Sequence, residues 1–249
     1  MRIAKDTYLV ASGVQGCSLT DDFDCNCYLF DTGEGLVLFD TGAGRAMERI
    51  YAEIERDGLS LGGLTHVFLT HGHADHSAGA AAIVAEHGAK LLCGADTAAV
   101  MAAGEKGISL DKARAAGVYP PDYTYRSPRP DGIVAPGEAM TIGRMTVTPV
   151  STPGHSADHM SYIVELGGVT SLVSGDALFH SGRIIYQATD DFDVAQSCGS
   201  IESLAARAFD ALLPGHGMFV LSGGTRHAQV AMASIRSMKP PVALDLANI

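Results

Sequence analysis

The chain has 249 residues, 47% of them hydrophobic and 18% charged, with 29 glycines and 10 prolines. That suits a globular chain with a core of its own and excludes a disordered or collagen-like one. Seventeen basic residues against 28 acidic ones give a formal charge of -11, which excludes the clustered positive surface that a nucleic-acid partner needs.

Cys25 to Phe30 reads as a strand, residues 31–35 as a turn, and Leu36 to Phe39 as the return strand of a hairpin. A second turn follows at residues 40–44. Arg45 to Arg56 reads as a helix with Met47, Ile50, Tyr51 and Ile54 on one face, and Gly58 as its stop. Val67 to Leu69 is a short apolar strand leading into His71-Gly72-His73-Ala74-Asp75-His76. Ser77 is placed to cap the next helix, which runs to Gly88. Lys90 to Cys93 reads as a strand and Asp96 to Ala103 as a helix. Residues 105–138 hold five prolines and several glycines; a short helix over Asp111 to Ala116 and then a long irregular connection are expected there, a length that is usually functional. Strands are predicted at Met140 to Ile142, Met145 to Val150, Ser161 to Glu165 and Val169 to Ser174. An irregular stretch over residues 175–193 precedes a helix from Ala195 to Phe209. A strand at Ala211 to Leu213 and a helix from Thr225 to Ser237 close the pattern. The sequence shows no repeat and no linker, so one domain over residues 1–249 is expected, its two halves burying mixed sheets face to face with helices outside.

The strongest chemical signal is His71-x-His73-x-Asp75-His76, four side chains with metal-binding atoms in six residues. The segment lies between a predicted strand and a predicted helix, where a loop can turn several side chains to one point. Capping or surface histidines are the plain alternative, but this spacing is that of a metal site. Zinc takes four donors, so further ligands are expected elsewhere. His155, Asp176 and His216 each follow a glycine just beyond a predicted strand. Each alone is an ordinary turn residue. Together with the loop they make seven donors, enough for two metals.

In this order the residues resemble the metallo-beta-lactamase fold superfamily of metallohydrolases, nearest to its glyoxalase II and lactonase-like branch. Asp40, in Phe39-Asp40-Thr41-Gly42, matches an early motif of that family that is usually structural. The resemblance runs from the first hairpin to His216 and implies an α/β (α+β) fold: a four-layer αββα sandwich of two mixed β-sheets flanked by helices. It implies that His71, His73 and His155 hold one metal, that Asp75, His76 and His216 hold a second, and that Asp176 bridges them. Zinc is the first expectation, with manganese or iron also suited to imidazole and carboxylate ligands. Two such ions sharing a hydroxide would open a small-molecule ester-type bond, a lactone or thioester, with Asp75 orienting the nucleophile and passing a proton to the leaving group.

The segment Ser174-Gly175-Asp176-Ala177-Leu178-Phe179 separates the chain from the true beta-lactamases of the family, which lack a bridging Asp there. Thr152-Pro153-Gly154-His155-Ser156-x-x-His159 also resembles glyoxalase II, but the additional helical domain and basic glutathione-binding residues of that enzyme have no counterpart after His216. Glutathione thioesters are therefore not the expected substrate. The alternatives are a mononuclear iron dioxygenase of the same fold acting on a sulfur substrate, through His71, His155 and Asp176, or a phosphodiester or beta-lactam hydrolase.

Among the other histidines, His66 is expected to end a strand and His159 to orient a ligand or touch substrate. His180 and Tyr186 follow Asp176 closely and are candidate catalytic donors to the oxyanion or the substrate. His87 and His227 are expected at the surface. Cys25 and Cys27 read as buried free thiols, with Cys93 and Cys198 alike. Met140, Met145, Met218 and Met238 read as core filling. Tyr119, Tyr123 and Tyr125 lie in the Pro-rich connection, either as a wall over the site or as a surface or dimer contact. Five cysteines are an odd number for a disulfide framework, no apolar run is long enough to span a bilayer, and residues 1–6 lack the pattern of a secretory signal. A cytoplasmic protein acting on a small molecule, without nucleic-acid or membrane partners and as a possible homodimer, is the expectation.

Overall fold

The computed structural model describes residues 1–244, and these fall into two compact units, Met1–Val134 and a second beginning at Ala135. Each unit is built on one mixed sheet with helices beside it.

In the first unit the strands are β1 (Arg2–Ala4), β2 (Thr7–Ala11), β3 (Cys27–Asp31), β4 (Leu36–Phe39), β5 (Leu64–Phe68), β6 (Lys90–Cys93) and β7 (Gly132–Ile133), and they lie in the sheet in chain order. The pairs from β1 to β4 are antiparallel, and those from β4 to β7 are parallel. Parallel neighbours need a crossover. The crossovers carry α1 (Met47–Arg56), then α2 (Ala74–Ser77) and α3 (Ala80–His87), then α4 (Ala95–Ala102) and α5 (Leu110–Ala115). Met47, Ile50 and Ile54 recur at helical spacing on α1 and are buried in one core with Val10, Leu29, Leu38 and Val67. Each such aliphatic side chain contributes about 1.5–3 kcal/mol by burial.

The second unit carries β8 (Met140–Ile142), β9 (Met145–Ser151), β10 (Met160–Leu166), β11 (Val169–Gly175) and β12 (Ala211–Pro214), in the order β12-β11-β10-β9-β8. Only the β11–β12 pair is parallel, and its crossover holds α6 (Val194–Ala205). Ile201 and Leu204 of α6 and Ala228, Ala231 and Met232 of α7 (Thr225–Arg236) share a core with Val150, Leu172 and Leu212 of the sheet. Among the described residues no helix is long and apolar enough to cross a membrane.

Most expected elements are present with ends shifted by a residue or two. Three departures have physical causes. β3 starts at Cys27 because the Cys25 amide bonds the Asp75 carbonyl, outside the ladder. Ser77 does not cap α3; its hydroxyl donates backwards to the carbonyls of Gly72 and His73. α6 stops at Ala205 because Phe209 is buried and its amide and carbonyl both bond the Thr225 hydroxyl, which draws the chain out of the helix despite good helix-forming residues. Met145 is core, whereas Met140 is half-buried and Met218 and Met238 are exposed, Met238 at 93%, so methionine composition misplaces two core positions. Cys25, Cys27 and Cys93 are buried free thiols, and Cys198 is half-buried. His87 is half-buried edge-on to Tyr51, and His227 is half-buried with its Nδ1 accepting the Ser181 amide, so neither is a plain surface residue.

Candidate metal centre

In the first unit β4 and β5 run parallel with Phe39 opposite Phe68, so the residues after each strand emerge side by side. Ligands are commonly collected at the carboxyl ends of such strands. Asp40 follows β4 and takes φ 58°, a left-handed backbone that Asp tolerates better than most residues. Its buried carboxylate accepts the Thr70 amide at 2.8 Å and the Thr70 hydroxyl at 2.9 Å, and lies 2.9 Å from Nδ1 of His76.

These contacts fix two imidazole tautomers. The ionised Asp40 carboxylate only accepts, so His76 carries its proton on Nδ1 and presents Nε2 as the lone pair. The Thr70 hydroxyl gives its proton to Asp40, so its oxygen accepts Nδ1–H of His71 at 3.0 Å, and His71 also presents Nε2. The His71 ring centroid lies 4.6 Å from that of His73 and 4.2 Å from that of His76. Oδ2 of Asp75 stands 3.6 Å from Nε2 of His76. The strand–loop–helix turn thus brings its four expected ligands together. Imidazoles whose far nitrogen is engaged by a carboxylate or hydroxyl are the arrangement that metal-ligating histidines adopt. Cys25 also approaches Asp40 and His76, but the Nδ1–Asp40 bond makes that group a support for the ring.

In the second unit one end of the sheet carries the three remaining candidate ligands. β9 ends where β10 begins, with Ser151 opposite Met160, and β11 and β12 end together, with Gly175 opposite Pro214. His155 lies in the β9–β10 loop, Asp176 follows β11 and His216 follows β12. Oδ2 of Asp176 stands 3.4 Å from Nε2 of His155 and 3.4 Å from Nε2 of His216. One buried carboxylate oxygen therefore faces two imidazole nitrogens.

Gly154 sets the entry to His155. Its φ is 136°, and a Cβ there would stand 2.3 Å from the backbone nitrogen of Ser197. Only glycine lets the loop lie this close to α6. Asp193 caps α6 through the amides of Ala195 and Gln196 and bonds the Gly154 carbonyl with its own amide. The His155 carbonyl accepts Nε2–H of Gln187 at 2.7 Å.

His159 holds the backbone of Asp176. Its Nε2 accepts the Asp176 amide at 2.9 Å, so the ring's proton is on Nδ1, which donates to Thr152 at 2.8 Å. The Thr152 hydroxyl then donates to Ser161, and Ser161 to the Ser174 carbonyl. Thr70, Thr152, Ser161 and Gln187 were not singled out from the sequence. The one available signal was that Thr70 directly precedes His71 and Thr152 opens the His155 motif.

His180 packs its ring 4.6 Å from that of His227 and bonds the Ser181 hydroxyl at 3.0 Å. Tyr186 is 41% exposed and its hydroxyl donates to the Pro241 carbonyl. His66 bonds the Thr65 hydroxyl, and burial, with Lys90 nearby, lowers its pKa. The tyrosines of the Pro-rich connection turn inward. Tyr119 donates to Asp75 at 3.0 Å, Tyr123 to the Ala43 carbonyl at 2.7 Å, and Tyr125 bonds the Ser77 hydroxyl at 2.9 Å. Burial first, and the Asp75 charge second, push the Tyr119 hydroxyl well above the ordinary phenol range, so it stays a donor.

The four candidate donors of the first unit and the three of the second are imidazole nitrogens and carboxylate oxygens, most of them buried, a donor set that suits first-row divalent ions. The profile described as the Metallo-beta-lactamase superfamily matches residues 20–216. The chain belongs to the metallo-beta-lactamase superfamily. A hydroxyacylglutathione hydrolase of Acidiphilium cryptum is 32% identical over 156 residues, 62% of this chain and 51% of that protein. An atrochrysone carboxyl ACP thioesterase of Aspergillus fumigatus is 28% identical over 196 residues, 78% of this chain and 51% of that protein. The chain spans about half the length of the curated relatives it matches. The metallo-beta-lactamase BJP-1 of Bradyrhizobium japonicum superposes with a TM-score of 0.72 at 21% identity, over 96% of this chain and 91% of that one. At that identity the likeness shows the fold, two mixed sheets flanked by helices in the metallo-beta-lactamase arrangement.

Proposed function

We propose that the chain is a metal-dependent hydrolase that opens an ester-type bond, a thioester or a lactone, of a small molecule. The observation that carries this reading is Oδ2 of Asp176 lying 3.4 Å from Nε2 of both His155 and His216, as a carboxylate shared between two ions would. In this reading His71, His73 and His155 hold one divalent ion, Asp75, His76 and His216 a second, and Asp176 both. Zinc is the leading candidate, and manganese or iron also fits these ligands. Bound there, two such ions would lower the pKa of water and polarise the substrate carbonyl.

The chain's own residues do the rest. Asp40 and Thr70 keep the Nε2 lone pairs of His71 and His76 presented. His159 holds the backbone of Asp176. Asp75 orients the attacking water and carries its proton to the leaving group. His180 and Tyr186 are the candidate donors to the developing oxyanion, a role for which Tyr186 must release the Pro241 carbonyl. The relatives named as a hydrolase and a thioesterase support a thioester ahead of a lactone.

His71→Ala, Asp75→Asn and Asp176→Ala test the roles. Each is expected to lower thioester or lactone turnover at least 100-fold while the far-ultraviolet circular dichroism spectrum is retained. Undiminished turnover in any two overturns the assignment.

A further inference from the structure

The Pro-rich connection between α5 and β7 is tied to the segment that carries the metal loop at two points, Asp75 and Ser77, and one of them is a proposed ligand. Asp75 sits in the first turn of α2, a helix of a single turn, which gives its side chain little rigidity of its own. Its Oδ2 faces Nε2 of His76 at 3.6 Å, and its Oδ1 accepts the Tyr119 hydroxyl at 3.0 Å. With Oδ1 held, rotation of the carboxylate is blocked and Oδ2 stays turned toward His76.

Tyr119 is itself fixed. Its ring stacks on Tyr123 at 4.9 Å and 14°, and Phe23 lies 5.6 Å away on a 30° tilt. Tyr123 is anchored by its hydroxyl on Ala43, and its carbonyl accepts Arg114, which pairs with Glu105. Tyr125 bonds Ser77, whose hydroxyl holds the carbonyls of Gly72 and His73 from below.

A buried phenol needs a partner, and a backbone carbonyl serves, as Ala43 does for Tyr123. Tyr119 instead takes an ionisable carboxylate, and a hydrogen bond to a charged acceptor is roughly twice as strong as a neutral one. That strength acts on the orientation of Asp75.

We infer that Tyr119 is a positioning residue for Asp75: its hydroxyl fixes the carboxylate so that Oδ2 is presented as a ligand beside His76. The inference rests on the two-ion reading above. It gives the irregular connection a task, as the rigid support that orders one of the two ligand sets.

The test is a titration of the metal-free full chain with cobalt(II), read by the visible absorption of the bound ion. Three proteins are compared: wild type, Tyr119→Phe and Tyr123→Phe. Phenylalanine removes one oxygen and leaves the ring stack, so folding is expected to survive, and thermal melting of the metal-free proteins checks this. Wild type is expected to take two equivalents. Tyr119→Phe is expected to keep one equivalent with unchanged affinity and to bind the other about 10–100-fold more weakly, the usual effect of losing a partner of a ligand. Tyr123→Phe is expected to bind both as wild type does. In an Asp75→Asn background, adding Tyr119→Phe is expected to change nothing further. Equal weakening of both equivalents, or the same loss in Tyr123→Phe, assigns Tyr119 a general structural role and overturns the inference. Wild-type binding of both equivalents by Tyr119→Phe overturns it too. A wild type that takes fewer than two equivalents overturns the two-ion reading itself, and the inference with it.

Discussion

Asp40→Asn isolates the tautomer argument, because it changes atoms rather than shape. The backbone there has φ 58°, a conformation asparagine accepts, so no backbone strain is introduced. Asp40 receives the Thr70 amide at 2.8 Å on Oδ1 and faces Nδ1 of His76 at 2.9 Å with Oδ2. An amide has one oxygen. If it stays on the Thr70 amide, the new NH2 faces Nδ1 of His76, which must give up its proton and move it to Nε2, the nitrogen meant for metal. If the amide flips, its NH2 faces the buried Thr70 N–H and leaves that donor unsatisfied. The second outcome costs about 1–3 kcal/mol of stability. The first lowers metal affinity about 10–100-fold, roughly 1.4–2.8 kcal/mol. The assay pairs a metal competition titration with a urea unfolding curve of the metal-free protein. One of the two must move. An Asp40→Asn protein with metal affinity within threefold of wild type and an unchanged unfolding midpoint refutes the reasoning.

Three further perturbations follow from the same geometry. His159→Phe keeps the bulk but leaves the Asp176 amide without its acceptor and removes the bond Thr152 accepts, so the urea midpoint should fall by the equivalent of about 1–3 kcal/mol; an unchanged midpoint contradicts the assignment. Tyr186→Phe is expected to lower kcat about 10–100-fold with little change in KM, as removal of a transition-state donor does, and a kcat within twofold of wild type takes Tyr186 out of the mechanism. His66 has a pKa lowered below its ordinary 6.5, chiefly by burial, so the unfolded chain binds the proton more readily. Its contribution therefore weakens stability as pH falls through 6.5 and below, and His66→Gln should flatten the stability–pH slope just under that value; a slope equal to wild type in paired urea curves at several pH values refutes this.

The candidate ligands are legible because their chemistry is local. Six residues after β5 hold four of the seven, and the glycines before His155, Asp176 and His216 mark loops at strand ends. Strand ends were legible for the same reason, since Leu36–Phe39 and Lys90–Cys93 are short apolar runs between turn residues. What fixes these candidate side chains was not legible. Asp40 reaches His76 across 36 positions, Tyr119 reaches Asp75 across 44, and only the parallel pairing of β4 with β5 and the folding-back of the connection bring them together. Ser77 shows the limit of local reading. Its position before a helix suggests a cap, yet its hydroxyl holds the metal loop instead. Phe209 shows another, since helix propensity carries the pattern through it and a tertiary bond to Thr225 ends the helix earlier.

The central claim is that two divalent ions on these seven side chains drive hydrolysis. Its most direct test is to strip the metal, add back zinc stepwise, and follow thioester hydrolysis and bound metal in the same samples. The account predicts negligible turnover without metal and a rise that levels off at two equivalents per chain. Full turnover in the stripped protein, or a single bound iron with oxygen consumption in place of hydrolysis, would contradict it.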